Sequence, residues 1–409
     1  MELFRARWVL PVGRPPIENG WISAEHGRIT AVGDGRAEWP GTDLGDVALL
    51  PAFVNAHTHL ELSWMAGRVP PAASMPVWVR ALLGTRASAP SAGEVGRAVT
   101  EAVAAAEQGG TALFGDITNT LAAVPALEAA GLDAVLFREL LGFAVPDVAK
   151  LVSDAWLALD AVEKSRELIQ RINSRLFWQY SVVAHAPYSV SPALFRAIAG
   201  AKRAAPLAIH AGESPEELEF LQTGRGPFRE LLEHIGVWDP AWVPPQCGPI
   251  EYFARLGYLT PGMLAVHGTH LSDADLARLR DADGVLVTCP RSNVWVGGGA
   301  PDAARFYRSG VRVAVGTDSL ASTSSLQMVD ELAALRRVAP GVPAARLIES
   351  ATRIGAEALG YGRDFGTLEA GKRAVWAAVA VPAGVTDVEE YLVSGDVDAA
   401  RDVRLVRTH

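Results

Sequence analysis

The chain has 409 residues, 49% apolar and 20% charged, a balance that fits a folded enzyme and excludes a disordered chain. Its net charge of -9 excludes the basic footprint of a nucleic-acid or anionic-membrane binder, which leaves a small-molecule substrate as the expected partner. Met1 to Pro11 lacks a signal-peptide core, no run reaches the roughly 18 apolar residues of a membrane helix, and Cys247 and Cys289 cannot build a disulfide framework, so a cytoplasmic protein is expected.

In chain order, the first fifty residues read as β structure. Two short alternating runs flank His26-Gly27, a hairpin signature, within Trp21 to Gly33. The apolar run Ala48 to Val54 follows and leads into His57-Thr58-His59. From there strand-like runs alternate with alanine-rich helical patterns at Ala92 to Gln108, Val148 to Asn173, Pro192 to Arg203, Ala274 to Asp281 and Leu326 to Val338. The strands are expected to end near Asn55, Asp116, Arg138, Ala184, His210, His267, Thr288 and Thr317. Ser214 to Pro261 is read as one long connection, either covering substrate or packing on a neighbouring subunit. Turn chemistry at Gly366 to Lys372 and the strand-like Ala374 to Val381 close the chain.

Repeated β-then-α units of this kind predict an α/β fold, a (β/α)8 TIM barrel over residues 51–363. The β segments of both termini, 1–50 and 364–409, are expected to form one small β-sandwich domain. An open doubly wound sheet is the competing architecture. It gives no reason for strand-end residues from the first, fifth and last strands to converge, whereas a closed barrel returns the last strand to the first.

His57, His59, His185, His210 and His267 each follow a strand-like run, as does Asp318 in Gly316-Thr-Asp318. Residues two apart on a strand share a face, so His57 and His59 are expected to grip one ion, with His210 and Asp318 completing the set. Nitrogen and oxygen donors in this combination suit one divalent metal, zinc first, with ferrous iron accepted by the same ligands. Glu213, three residues after His210, is placed to act as the base beside such an ion, and the competing role is a helix-start neighbour, since Ser214-Pro-Glu-Glu217 reads as a helix N-terminus. His267 is expected to contact the reacting oxygen, and Asp318 to accept a second proton. Glu61, Trp78, Arg138 and Ser319 are candidate substrate contacts whose competing role is packing.

Pro51-Ala-Phe-Val-Asn-Ala-His57-Thr-His59, His210-Ala-Gly-Glu213, Ala265-Val-His267-Gly-Thr-His270, Cys289-Pro-Arg-Ser-Asn293 and Gly316-Thr-Asp-Ser-Leu-Ala-Ser322 resemble the amidohydrolase superfamily, in its mononuclear cytosine/adenosine-deaminase-like and chlorohydrolase-like branch. The resemblance runs over essentially the whole chain. It implies that His57, His59, His210 and Asp318 bind metal, that Glu213 and His267 handle proton transfer and the oxyanion, and that His185 touches substrate. Two-metal relatives bridge their ions with a carboxylated lysine at a strand end. Lys150, Lys164, Lys202 and Lys372 all fall elsewhere, so one ion is expected.

Within the branch, His59-Leu-Glu-Leu-Ser63, Met75-Pro-Val-Trp78-Val-Arg80 and Asp318 to Ser322 resemble the aminofutalosine deaminases; Ala52 and Val375 depart from the usual glycine and aspartate. The implied activity is hydrolytic deamination of a purine-like heterocycle, of aminofutalosine or adenosine type, in a homodimer. The alternatives are hydrolysis of another leaving group, such as a triazine halide, an amide or a guanine-type ring, and a non-catalytic scaffold barrel.

Overall fold

The computed structural model describes residues 1–35, 40–170 and 177–408, with the side chains of 167–170 left aside. Strands β1 (Glu2–Val9), β2 (Ile17–Glu25), β3 (Arg28–Gly33), β4 (Thr42–Asp43) and β5 (Val47–Pro51) come from the N-terminal segment. The predicted hairpin joins β2 to β3: His26 and Gly27 have φ of 53° and 71°, the pair of left-handed residues that matches the twist of a two-residue turn.

Strands β6 (Phe53–Thr58), β7 (Thr111–Thr118), β8 (Asp133–Leu140) and β9 (Trp178–Ala184) form one parallel sheet in that order. A second parallel sheet contains β10 (Ala208–Ala211), β11 (Leu264–His267), β12 (Val285–Thr288) and β13 (Arg312–Val315). Finally, β14 (Val375–Ala380) and β15 (Val403–Arg407) return to the terminal strands, giving a seven-stranded sheet ordered β15-β14-β5-β1-β2-β3 with β4 beside β1. Both chain ends therefore share one sheet, sealed by a core of Val9, Ile22, Ile29, Leu49, Trp376 and Ala378.

The apolar run Ala48 to Val54 divides between two sheets. β5 pairs with β14 as far as Pro51, opposite Trp376, and β6 starts with Phe53 N donating to Gly110 O at 2.9 Å. Proline has no N–H to continue the first ladder, so the chain changes sheets there. The eight central strands are almost continuously buried, as strands with both faces covered must be.

The helix Ala92–Gln108 lies where its pattern places it, and Ser91 and Glu94 close a reciprocal capping box at its start. Pro192–Gly200, Asp273–Asp281 and Met328–Val338 also match within a turn. Val148–Gln170 is helical, and its expected end at Asn173 lies outside the described residues. The connection after β10 is largely helical: Pro215–Thr223, Pro227–His234 and Pro249–Arg255 each begin on a proline, the residue preferred in a first helical turn. Prolines and glycines at this density read as loop in sequence because each helix is shorter than three turns.

The two parallel sheets meet edge to edge at two places. His210 N donates to His185 O at 3.0 Å across β10 and the end of β9. At the other edge Asp318 N donates to His57 O at 3.1 Å and Thr58 Oγ1 to Asp318 O at 2.9 Å. Asn55 locks this seam: its Nδ2 donates to Thr317 Oγ1 at 2.7 Å and its Oδ1 accepts from Thr317 N at 3.1 Å. Gly316 is required here, because a Cβ would stand 2.6 Å from the His57 carbonyl oxygen. Replacing Asn55 with alanine orphans the buried Thr317 N–H, at about 1–3 kcal/mol. Urea denaturation of Asn55→Ala is expected to show that loss, and an unchanged midpoint would remove Asn55 from the seam.

Candidate metal centre

The seam places the first candidate ligands. His57 is the penultimate residue of β6, and His59 lies just beyond its end; their rings stand 5.0 Å apart at 84°. Both direct Nε2 at Asp318 Oδ1, at 3.9 and 3.5 Å. The His210 ring, from β10, lies 5.0 Å from that of His57 and 5.5 Å from that of His59. His267 closes β11. His267 and Asp318 have φ of 74° and 60°, left-handed values that non-glycine residues adopt only when their surroundings dictate it. For Asp318 those surroundings are the two seam hydrogen bonds; for His267 they are Asn293 and the turn at Gly268, whose N donates to Ala211 O at 3.0 Å.

The donor chemistry fits a cation. Side-chain donors of His57, His59 and Asp318 lie within 4.8 Å of one another, as do those of His57, His210 and His267. Nε2 of His57 and Nε2 of His210 are buried with no hydrogen-bond partner, an arrangement that costs free energy unless something accepts those lone pairs. Burial, reinforced by the surrounding histidines, holds the His57 imidazole well below its ordinary pKa, which keeps it neutral. His210 goes the other way: burial opposes its charge, yet Glu139 and Glu213 raise it to about 10. The pocket therefore attracts positive charge and offers neutral imidazole nitrogens, the combination a divalent ion requires.

A second layer of side chains fixes these groups. Asp318 Oδ2 accepts from Ser292 Oγ at 2.5 Å and Ser322 Oγ at 2.8 Å, leaving Oδ1 for the histidines. His267 Nδ1–H donates to Asn293 Oδ1 at 2.8 Å, so His267 Nε2 accepts from His210 Nδ1 at 2.9 Å. Arg291 binds Ser325 O, Ser325 Oγ and Ser324 Oγ and faces Glu331. It thus staples the helix carrying Ser292 and Asn293 to the loop carrying Asp318 and Ser322.

Glu213 follows the tight turn at Gly212, where φ is 61° and a Cβ would meet the Leu271 side chain at 2.8 Å. Its Oε1 lies 3.4 Å from His267 Nε2 and its Oε2 3.7 Å from His210 Nδ1. Burial favours a protonated Glu213, but the neighbouring His267 and His210 outweigh it and hold the carboxyl at about 2. The turn is pinned by Glu217, whose carboxylate accepts from Gly212 N at 2.8 Å and Glu213 N at 3.2 Å; burial raises that carboxyl to about 8.

The candidate substrate contacts separate. His185 joins the cluster, its ring 4.9 Å from that of His210. Ser319 is buried beside Ser322, 3.3 Å between hydroxyl oxygens. Trp78 packs with Trp64, Met65 and Ala321, and its Nε1 donates to Ala321 O at 3.4 Å, against the Asp318 loop. The Glu61 carboxylate is taken up by Thr118 Oγ1, Asn119 N, Thr120 N and Thr120 Oγ1, so it anchors the turn after β7. Arg138 is half-buried on β8 and donates to Thr118 O at 3.5 Å.

The residue that sequence reasoning passes over is its neighbour Glu139, buried at the end of β8 with Oε1 3.6 Å from His210 Nε2. Strand alternation was the available signal, since Arg138 and Glu139 point to opposite faces. Removing a hydroxyl from Asp318 Oδ2, in Ser292→Ala or Ser322→Ala, is expected to weaken metal retention about 10- to 100-fold in chelator competition. Unchanged retention would show that Asp318 needs no outer support.

Comparison with known proteins places this geometry. The family model described as "Amidohydrolase family" matches residues 48–399. An aminodeoxyfutalosine deaminase of Deinococcus radiodurans is 32% identical, over 76% of this chain and 73% of its own length. The aminofutalosine deaminase of Helicobacter pylori, solved with methylthio-coformycin, superimposes with a TM-score of 0.82 over 100% of both chains at 24% identity. A zinc-bound adenosine deaminase of Xanthomonas campestris gives 0.77 at 23% identity, over 98% of this chain and 90% of its own. At these identities the two structures establish a shared fold.

Proposed function

This chain belongs to the amidohydrolase family, and from that membership we propose that it is a metal-dependent deaminase. It replaces an exocyclic amino group on a purine-like ring, in an aminofutalosine- or adenosine-type substrate, with oxygen and releases ammonia. The observation that carries the reading is the convergence of Glu213, His267 and Asp318, whose donor atoms lie within 4.8 Å of one another. Asp318 belongs equally to the group it forms with His57 and His59, so the proton-handling side chains and the ligand set face one point.

We assign His57, His59, His210 and Asp318 to one zinc ion, a choice supported by the orphaned histidine nitrogens and by the zinc in the Xanthomonas campestris structure. When bound, such an ion lowers the pKa of a coordinated water to about 7. Glu213, ionised and aimed by the Glu217-pinned turn, takes the proton from the attacking water and returns it to the ring nitrogen. His267, held by Asn293, hydrogen-bonds the oxygen at the reacting carbon. Asp318 accepts the second proton on its way to the departing ammonia. Burial of all three groups keeps bulk water from competing for these protons.

The same reading extends to architecture. We take residues 51–363 as a closed (β/α)8 barrel and residues 1–50 with 364–409 as a β-sandwich. The hydrogen bonds at both sheet edges support the first; for the second, the single seven-stranded sheet and its core support one terminal β domain. No helix among the described residues is long and apolar enough to cross a membrane. The buried free thiols of Cys247 and Cys289 support a cytoplasmic location. A homodimer completes the assignment.

Zinc-loaded protein is expected to release ammonia from at least one 6-aminopurine nucleoside in a panel that also holds aminopyrimidines and aminotriazines. No release from any member would refute the reading. Glu213→Gln is expected to lower turnover by ~10²-fold or more while keeping its metal; retained turnover would remove Glu213 as the base.

A further inference from the structure

One charged group at the centre has no part in that chemistry. Glu139 is 5% exposed, and its carboxylate is only half engaged. Asn119 Nδ2 donates to Oε2 and to the Glu139 backbone carbonyl, both at 3.1 Å, which fixes the side chain. Asn119 is fixed in turn, its N donating to Glu61 Oε1 at 2.9 Å. The other oxygen, Oε1, faces His210 Nε2 at 3.6 Å, and among the described residues no arginine or lysine forms an ion pair with it. A buried carboxylate without a cation or donors is costly. With His210 Nε2 directed at a metal, Glu139 retains Asn119 as its donor, and among the described residues no arginine or lysine faces Oε1.

His185 adds a second polar group. Its Nδ1 lies 2.6 Å from Ser189 Oγ, whose single proton goes either to that nitrogen or to Ala186 O at 3.3 Å. In the tautomer with Nδ1–H directed at Ser189, Nε2 is a lone pair. Donor atoms of Glu139, His185 and His210 lie within 4.8 Å of one another. Beside the proposed ligands, the site thus presents the Glu139 carboxylate, prepositioned by Asn119, next to the His185 imidazole held by Ser189, and among the described residues Glu139 Oε1 faces no charged side chain but histidine.

We propose that Glu139, with His185, is the specificity determinant for the sugar of the substrate, accepting hydrogen bonds from neighbouring hydroxyls of a ribonucleoside. The inference rests on the deaminase reading above and names the residues that read the sugar of its adenosine-type substrate. The exocyclic amine is committed to Asp318 and the ring nitrogen to Glu213, so the donors that satisfy Glu139 come from elsewhere in the molecule, and in a nucleoside those are the ribose hydroxyls. A carboxylate held to receive two hydroxyls is how proteins commonly read a ribose edge. A second cation is the competing occupant. The set at Asp318 outranks it, since a cation here would have to share His210 with the four-ligand site.

The test compares a 6-aminopurine ribonucleoside with its 2′,3′-dideoxy analogue on the zinc-loaded wild-type chain, Glu139→Gln and Glu139→Asp. Wild type is expected to favour the ribonucleoside by at least ~10-fold in kcat/KM, since an analogue lacking the hydroxyls leaves buried acceptors unpaired. In Glu139→Gln that preference is expected to collapse toward unity through KM; Glu139→Asp is expected to keep part of it. Thermal unfolding of each variant reports whether it folds, and the wild-type preference stands as a test even where a variant does not. An indifferent wild type, or a preference that survives in Glu139→Gln, overturns the proposal. So does loss of metal in that variant, which would make Glu139 a ligand. Absence of ammonia release from every substrate in wild type would instead sink the deaminase reading itself.

Discussion

The structure depends on the contact that brings β13 back against β6. Asp318 N donates to His57 O, Thr58 Oγ1 donates to Asp318 O, and the Asn55 amide exchanges hydrogen bonds with Thr317. Gly316 permits the approach because any side chain there would strike the His57 carbonyl. These few bonds join residues more than 250 positions apart and put Asp318 in front of two histidines from the first central strand. They also force Asp318 into a left-handed backbone conformation, a strain that the seam bonds must outweigh. The proposed ligand set is thus a consequence of the contact between β6 and the end of β13.

Electrostatics explains the rest of the centre. Glu139, Glu213 and Asp318 bring carboxyl groups into a buried volume where, among the described residues, their ion-pair partners are histidines. Burial alone would protonate the carboxyls and neutralise the imidazoles, yet Glu213 is held down at about 2 and His210 raised to about 10. Glu213 and His210 are each stabilised in the ionised form by their neighbours. Neutral supports take the remaining valences: Ser292 and Ser322 on Asp318, Asn293 on His267, Ser189 on His185. The result is a site whose side chains are oriented before any ligand arrives.

Much of this was legible in the sequence. His57, His59, His210, His267 and Asp318 each follow an apolar run, and strand-end placement in a parallel α/β fold was enough to predict that they meet. The hairpin at His26-Gly27 was legible because two left-handed residues need that kind of dipeptide. Three features were not. The run Ala48 to Val54 shows no internal boundary, because both sheets bury the same apolar residue types and only the missing N–H of Pro51 divides them. The helices after β10 are too short to develop a periodicity against their prolines. Glu139 escaped because a strand with both faces buried gives no polar alternation to show which residue of the pair Arg138–Glu139 turns inward.

Anomalous diffraction at the zinc edge, from crystals of the zinc-loaded protein, tests the central claim most directly. One peak per chain is predicted, bonded by nitrogens of His57, His59 and His210 and by Asp318 Oδ1, with Glu213 and His267 facing it. A peak held instead by Glu139, His185 and His210, or two peaks sharing His210, would contradict a single ion assembled by the β6–β13 seam.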